Sequence, residues 1–139
     1  MAKKSAGLLL FRLHADVWEV LLVHPGGPFW AHKEAGAWSI PKGEFDENED
    51  ALDAAIRETE EEIGLKATGP YIALIPVKIK SGKIIHTWAV RSDFDLTLFN
   101  SNNFEMEWPP KSGVMKSFPE VDKVRWMNIH LALEKINSG

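Results

Sequence analysis

The chain has 139 residues, 45% of them hydrophobic, and a formal net charge of −4. That length suits one domain, 1–139, with enough apolar material for a core, which argues against disorder. The absence of cysteine excludes disulfides, thiolate metal sites and a cysteine nucleophile, and the acidic balance argues against long nucleic acid held on a broad basic face.

The opening "MAKKSAGLLLFR" has two lysines and an apolar run that stops at Arg12, too short for a usual signal-peptide core or a membrane span. No membrane association is expected, and a cytoplasmic location is. "SAGLLLFRL" and "VWEVLLVHP" are short and apolar, separated by "HAD", which predicts two strands joined by a tight turn. "GGPFWAHKEAGAW" reads as a loop, and "WSIP" as a brief extended piece, because a residue before proline leans away from helix.

Leu52, Ala55, Ile56, Thr59 and Ile63 then recur at helical spacing and define one apolar face. Asn48 is the expected N-cap, with Glu49 and Asp50 in the first turn, and Gly64 the expected left-handed terminator. "YIALIPVKI" and "KIIHTWAV" read as strands. "SDFDLTLFNSNNFEMEWPPKSGVMKSFPE" reads as a long, mostly irregular loop of the kind that often carries function. "VDKVRWMNI" returns to a strand, and "HLALEKI" to a short helix with a stripe of Leu131, Leu133 and Ile136. Strands, helix, strands, helix predict an α/β fold with a mixed sheet sandwiched between helices.

The helix carries Glu58, Glu60, Glu61 and Glu62. Like charges at i,i+4 destabilise a helix by a few tenths of a kcal/mol, and the dipole disfavours them near its C-terminal end. At about 100° per residue, Glu58, Glu61 and Glu62 share one sector, with Glu60 turned to solvent. Three carboxylates at i, i+3 and i+4 are hard oxygen ligands of the type magnesium or manganese favours, with water and phosphates completing the shell. A bound cation would relieve the repulsion. For "ETEEE" taken alone a solvated glutamate face is the commoner outcome.

The wider spacing resembles the Nudix box, G-x5-E-x7-R-E-U-x-E-E-x-G-U, with U a bulky apolar residue. Gly43, Glu49, Arg57, Glu58, Glu61, Glu62, Gly64 and Leu65 fit it; Thr59 departs, at a position that bears on packing rather than chemistry. The box covers about a sixth of the chain, and the flanking strands also fit the family's fold. The resemblance, to MutT-like Nudix hydrolases, implies a metal-dependent pyrophosphohydrolase that cleaves a diphosphate linkage in a nucleoside polyphosphate by attack of water. It implies Mg²⁺, with Mn²⁺ as the substitute, held by Glu58, Glu61 and Glu62, and Glu58 as a candidate base. It further implies Arg57 orienting the glutamates, Glu49 supporting Arg57 or a further metal, Gly43 turning the loop beside the site, and the Lys42 carbonyl as a further ligand.

Several members of the family add an acidic residue about six before a tryptophan in a closing strand. "FPEVDKVRW" puts Glu120 there, six before Trp126, as ligand or base, with Glu105 and Glu107 as competitors. "WSIPKGE" resembles the stretch before the box in the diadenosine tetraphosphate hydrolase branch, which would set the Lys42 side chain near a phosphate. The tyrosine common in that branch is missing near Lys80 to Gly82, and Pro76 comes too early for the proline of ADP-ribose pyrophosphatases. The expected substrates are dinucleoside polyphosphates or nucleoside triphosphates. Trp30 and Trp108 are candidates for stacking on a base, while Trp18, Trp38 and Trp126 are expected to pack. A homodimer is compatible with the resemblance. The alternative from another class is a nucleotide-binding sensor of the same fold without turnover; an isomerase acting on a prenyl diphosphate usually needs a site cysteine, which this chain lacks.

Overall fold

The computed structural model describes residues 3–28, 36–79 and 81–135. Strands β1 (Lys4–His14) and β2 (Val17–Pro25) form an antiparallel hairpin. Its turn is narrower than the expected "HAD": Ala15 and Asp16 alone turn the chain, both with positive φ, as a two-residue hairpin turn matching strand twist requires. One edge of β1 is divided. Its start pairs with the short strand β3 (Lys42–Phe45), Gly7 opposite Lys42, and its end pairs with β2. At Gly7 a β-carbon would come within 2.5 Å of the Pro41 carbonyl oxygen, so only glycine lets β3 lie this close. The other edge of β1 runs parallel to β6 (Ile84–Arg91), and β2 pairs antiparallel with β9 (Val121–Asn128). The sheet is therefore mixed, as expected.

Helix α1 (Ala51–Ile63) covers one face. Period-two alternation decides which residues meet it: Leu8, Leu10, Leu21 and Val23 join Ala54, Ala55 and Ile63 in the larger core, while Leu9, Phe11, Val20 and Leu22 face a second core with Ala132 of α2 (Ile129–Lys135). Strand neighbours point to opposite faces, so the two helices lie on opposite sides of the sheet.

Several local expectations need correction. Helix α1 starts two residues later than the sequence suggests. Its N-cap is Asp50, whose carboxylate accepts from the Leu52 and Asp53 amides, while Asn48 instead donates its own amide to Asp46. Replacing Asp50 by alanine is expected to cost about 1 kcal/mol, read as a lower urea midpoint with an unchanged slope. "YIALIPVKI" is not one strand: Pro76 lacks an N–H, and only β4 (Ile72–Ala73) and β5 (Val77–Lys78) pair with β6. The stripe of α2 is rotated, with Ala132 buried and Leu133 70% exposed; Ile136 lies outside the described residues. Trp18 is 49% exposed rather than packed inside, lying against Phe11 and under Arg91. Trp38 and Trp126 are buried.

The long segment before β9 is not irregular either. It holds a single 3-10 turn (Leu96–Leu98) and a separate two-stranded hairpin, β7 (Asn103–Glu107) with β8 (Met115–Pro119). Phe104 faces Phe118 across that hairpin. Among the described residues, no helix is long and apolar enough to cross a membrane.

Candidate active site

The site forms where the last two turns of α1 pass β3. Gly64 ends the helix at φ 83°, its amide closing on the Glu60 carbonyl. Thr59, the one departure from the box, is fully buried, and its hydroxyl donates to the Ala55 carbonyl at 2.8 Å. Burial of the hydroxyl therefore leaves no unpaired group, and the apolar face is kept.

Arg57 organises the exposed edge. Its Nε and Nη2 grip the two oxygens of Glu49 at 2.8 and 2.9 Å, and its Nη1 donates to Glu58 Oε1 at 2.8 Å and Glu61 Oε2 at 3.1 Å. One guanidinium thus bridges three carboxylates, with Glu49 held in a planar, fork-on-fork geometry that lysine lacks. Arg57 holds Glu49 below the usual carboxylate range and is itself pushed further up. If these carboxylates hold a metal ion, Arg57→Lys is expected to lower turnover by roughly 10- to 100-fold, as loss of a group that orients metal ligands does, with a melting temperature close to wild type.

Gly43 lies directly against Glu58. A β-carbon at Gly43 would fall 2.1 to 2.4 Å from the Glu58 carboxyl atoms, so the missing side chain is the space that carboxylate occupies. Burial raises the Glu58 pKa, against the pull of Arg57 and with Glu61 adding to the rise. Glu62 turns inward beside Lys42. Its Oε2 is buried without a hydrogen-bond partner. Burial first and Glu58 second push its pKa up to about 8, and the backbone and ammonium of Lys42 offset this only in part. Glu120, at the entry to β9, is also raised, by burial and then by Glu61 and Glu58.

Four acidic groups from two distant segments therefore share one field. Yet among the described residues no three acidic or histidine side chains are arranged to hold a metal ion as they stand. Glu58 and Glu61 are turned into Arg57, so the ready-made three-carboxylate cluster expected from helical spacing is not present in this structure. The residues nonetheless fit a hard divalent cation. An unpartnered buried carboxylate oxygen is costly, and it stands beside carboxylates whose mutual repulsion a cation would cancel.

Burial, and then the neighbouring Lys83, lower the Lys42 pKa, while Glu62 and Glu44 act against them. Lys83 is itself bonded to Glu44 at 3.1 Å. Sequence reasoning does not single out Lys83, because the parallel pairing that brings β6 beside β1 leaves no local signal. Trp108 stands at the tip of the β7–β8 hairpin, five residues or about 17 Å along the strand from the Asn103 end near Glu120. Trp30 lies outside the described residues. Glu107 closes the hairpin tip, accepting from the Lys111 and Gly113 amides, which accounts for that carboxylate structurally. His24 is buried and paired with Asp122 at 2.8 Å.

The model of the NUDIX domain matches residues 1–139. Among curated proteins, an RNA pyrophosphohydrolase of Bartonella henselae is 35% identical over 69 residues, 47% of this chain and 37% of that protein. A bis(5'-nucleosyl)-tetraphosphatase (asymmetrical) of Caenorhabditis elegans is 42% identical over 65 residues, 47% of this chain and 43% of that protein. The matched stretch thus spans less than half of either relative. Among solved structures, a C. elegans Ap4A hydrolase binary complex superposes with a TM-score of 0.61 at 22% identity, covering 96% of this chain and 85% of that one.

Proposed function

This chain belongs to the NUDIX domain family, and from that membership we propose that it hydrolyses a diphosphate linkage in a nucleoside polyphosphate, with a divalent metal ion as cofactor. The observation that carries the reading is the buried, unpartnered Oε2 of Glu62, set in one electrostatic field with Glu58 and Glu120. A solvated glutamate face would not bury an oxygen in this way.

In this reading Glu58, Glu61, Glu62 and Glu120 hold Mg²⁺ or Mn²⁺, and Arg57 keeps two of them oriented through its bonds to Glu58 and Glu61. When bound, the ion neutralises phosphate oxygens and makes water a better nucleophile at neutral pH. Glu58 and Glu120 are the candidates to take the proton of the attacking water; burial raises the pKa of both, which is the direction a base at neutral pH needs. Lys42 places a cation beside Glu62, where it would meet a phosphate oxygen and draw it towards the acidic cluster. Gly43 keeps the approach to Glu58 open. The substrate class is a dinucleoside polyphosphate or a nucleoside triphosphate, supported by the two partial matches to polyphosphate-cleaving proteins and by "PKG" immediately before the box. Trp108 is proposed to contact a base only if a bound nucleotide extends along the hairpin.

The test is incubation of the purified protein with Mg²⁺ and a panel of diadenosine polyphosphates, nucleoside triphosphates and ADP-ribose, with products resolved by ion exchange. Cleavage that requires metal and is lost in Glu61→Gln is the expected result. Tight nucleotide binding without turnover on any member of the panel would instead support a sensor of the same fold.

A further inference from the structure

Glu120 reaches the acidic cluster from a segment remote in sequence, and like charges should drive it away. Its carboxylate lies within the field of Glu61 and Glu58, so its backbone must be held against that repulsion. The structure shows how. The Glu61 carbonyl, in the last turn of α1, accepts from the Asn102 amide at 2.8 Å, and the Ile63 carbonyl accepts from Asn100 at 3.0 Å. The Asn102 carbonyl accepts in turn from the Glu120 amide at 2.8 Å, and the Glu120 carbonyl from the Gly26 amide at 2.9 Å. A continuous line of hydrogen bonds therefore runs from the turn that bears Glu61, through residues 100–102, to both polar groups of the Glu120 backbone.

Its far end is equally tight. A β-carbon at Gly26 would fall 1.9 Å from the Pro119 carbonyl oxygen, so the chain just past the end of β2 presses directly on the residue before Glu120. The register of β2 with β9 shifts at this point, between His24 and Pro25. Such an irregularity re-aims the chain at a strand end.

The hydroxyl of Ser101 joins this line from the side. Its Oγ accepts from the Val121 amide at 3.0 Å and donates to the Asn102 carbonyl at 3.0 Å. Val121 is almost fully buried, so its amide depends on a protein partner such as this hydroxyl. Ser101 thus ties the residue after Glu120 to the carbonyl that holds Glu120 itself.

We propose that Ser101 is a positioning residue: through Val121 and Asn102 it braces the Glu120 backbone to the last turn of α1, so that Glu120 joins the helix carboxylates around the metal ion. This rests on the metal-dependent reading of the site. The residue touches neither ion nor substrate; it acts through the placement of Glu120, as groups behind a metal ligand commonly do.

The test is a double-mutant cycle read by Mn²⁺ binding to the full chain, followed by electron paramagnetic resonance, with turnover measured alongside. Glu120→Gln is expected to weaken Mn²⁺ binding about 10-fold or more, and Ser101→Ala by about 5- to 10-fold. Ser101→Thr, which keeps the hydroxyl, restores binding, and Ser101→Ala adds nothing in the Glu120→Gln background. The proposal is overturned if Ser101→Ala leaves Mn²⁺ affinity unchanged. It is equally overturned if Ser101→Ala weakens binding by the same factor with and without Glu120, if Glu120→Gln has no effect, or if the wild type binds no Mn²⁺. Failure of the hydrolase reading looks different. The wild type would then turn over no substrate while the Mn²⁺ cycle keeps its non-additivity. Conversely, turnover that depends on Glu61 but not on Ser101 or Glu120 retains the enzyme and removes the brace.

Discussion

Glu62→Gln is expected to reduce turnover by about 10³-fold while making the metal-free protein more stable at alkaline pH. The loss follows, on the proposed reading, from removing a charge that would meet the ion directly: several kcal/mol of transition-state stabilisation at about 1.4 kcal/mol per decade gives that order. The gain in stability follows from the burial of the same group. The folded carboxyl titrates at about 8, whereas an unfolded glutamate titrates near 4.3. Below about pH 4 both states are protonated, and the wild type carries no penalty from this group. As pH rises from there towards 8, the unfolded chain has released its proton and the folded protein still holds one. Stability therefore declines across that window, and above pH 8 the contribution is fully lost.

Glutamine keeps the shape and cannot ionise, so its melting temperature should be flatter with pH, and the gap to wild type should open between pH 5 and 8. Thermal melts in chelator at several pH values measure this. Adding Mg²⁺ at pH 8 should stabilise the wild type more than the variant, because a ligand stabilises only the state that binds it. A wild-type melting temperature that does not fall relative to Glu62→Gln over that range would mean that the Glu62 carboxyl is solvated after all.

How far the sequence revealed this site depended on the kind of contact. Helix α1 and its carboxylates were readable because 3.6-residue spacing links sequence to face, and the two strands around Ala15 and Asp16 because each is a short apolar run beside a turn. The hairpin β7–β8 escaped, since the alternation of Phe104 and Met106 lasts only five residues and Met115 and Phe118 in β8 are three apart, which breaks the period of two. The N-cap moved from Asn48 to Asp50 because both residues can cap and only the tertiary path of β3 into the helix chooses between them. The arrangement around Glu120 had no signature at all. It is made largely of backbone amides and carbonyls, which every residue but proline supplies in pairs. Helical geometry also overstated how closely Glu58, Glu61 and Glu62 gather, because it takes no account of Arg57, whose side chain draws two of them to itself.

That competition makes Gly43→Ala the most informative small change in the molecule. The added methyl would overlap the Glu58 carboxyl, at 2.1 Å from its terminal carbon, but the overlapped atoms are the end of a flexible side chain. The carboxylate can swing aside at little cost to the fold. Doing so breaks its bond to Arg57 Nη1 and removes Glu58 from the position it holds among the acidic groups. A misplacement of about 1 Å at a reacting centre costs on the order of 10²-fold, so turnover should fall by about that factor or more. Stability should change by less than about 1 kcal/mol, since a tight contact that can relax produces only a modest effect. Equilibrium urea unfolding and steady-state kinetics on the same preparation separate the two. If activity and stability fell together, Gly43 would matter for the path of β3 rather than for the space it leaves. If neither fell, Glu58 would not need its present position, and Glu120 would become the stronger candidate for the base. An effect on turnover alone would tie Glu58 to the chemistry through a residue that has no functional group of its own.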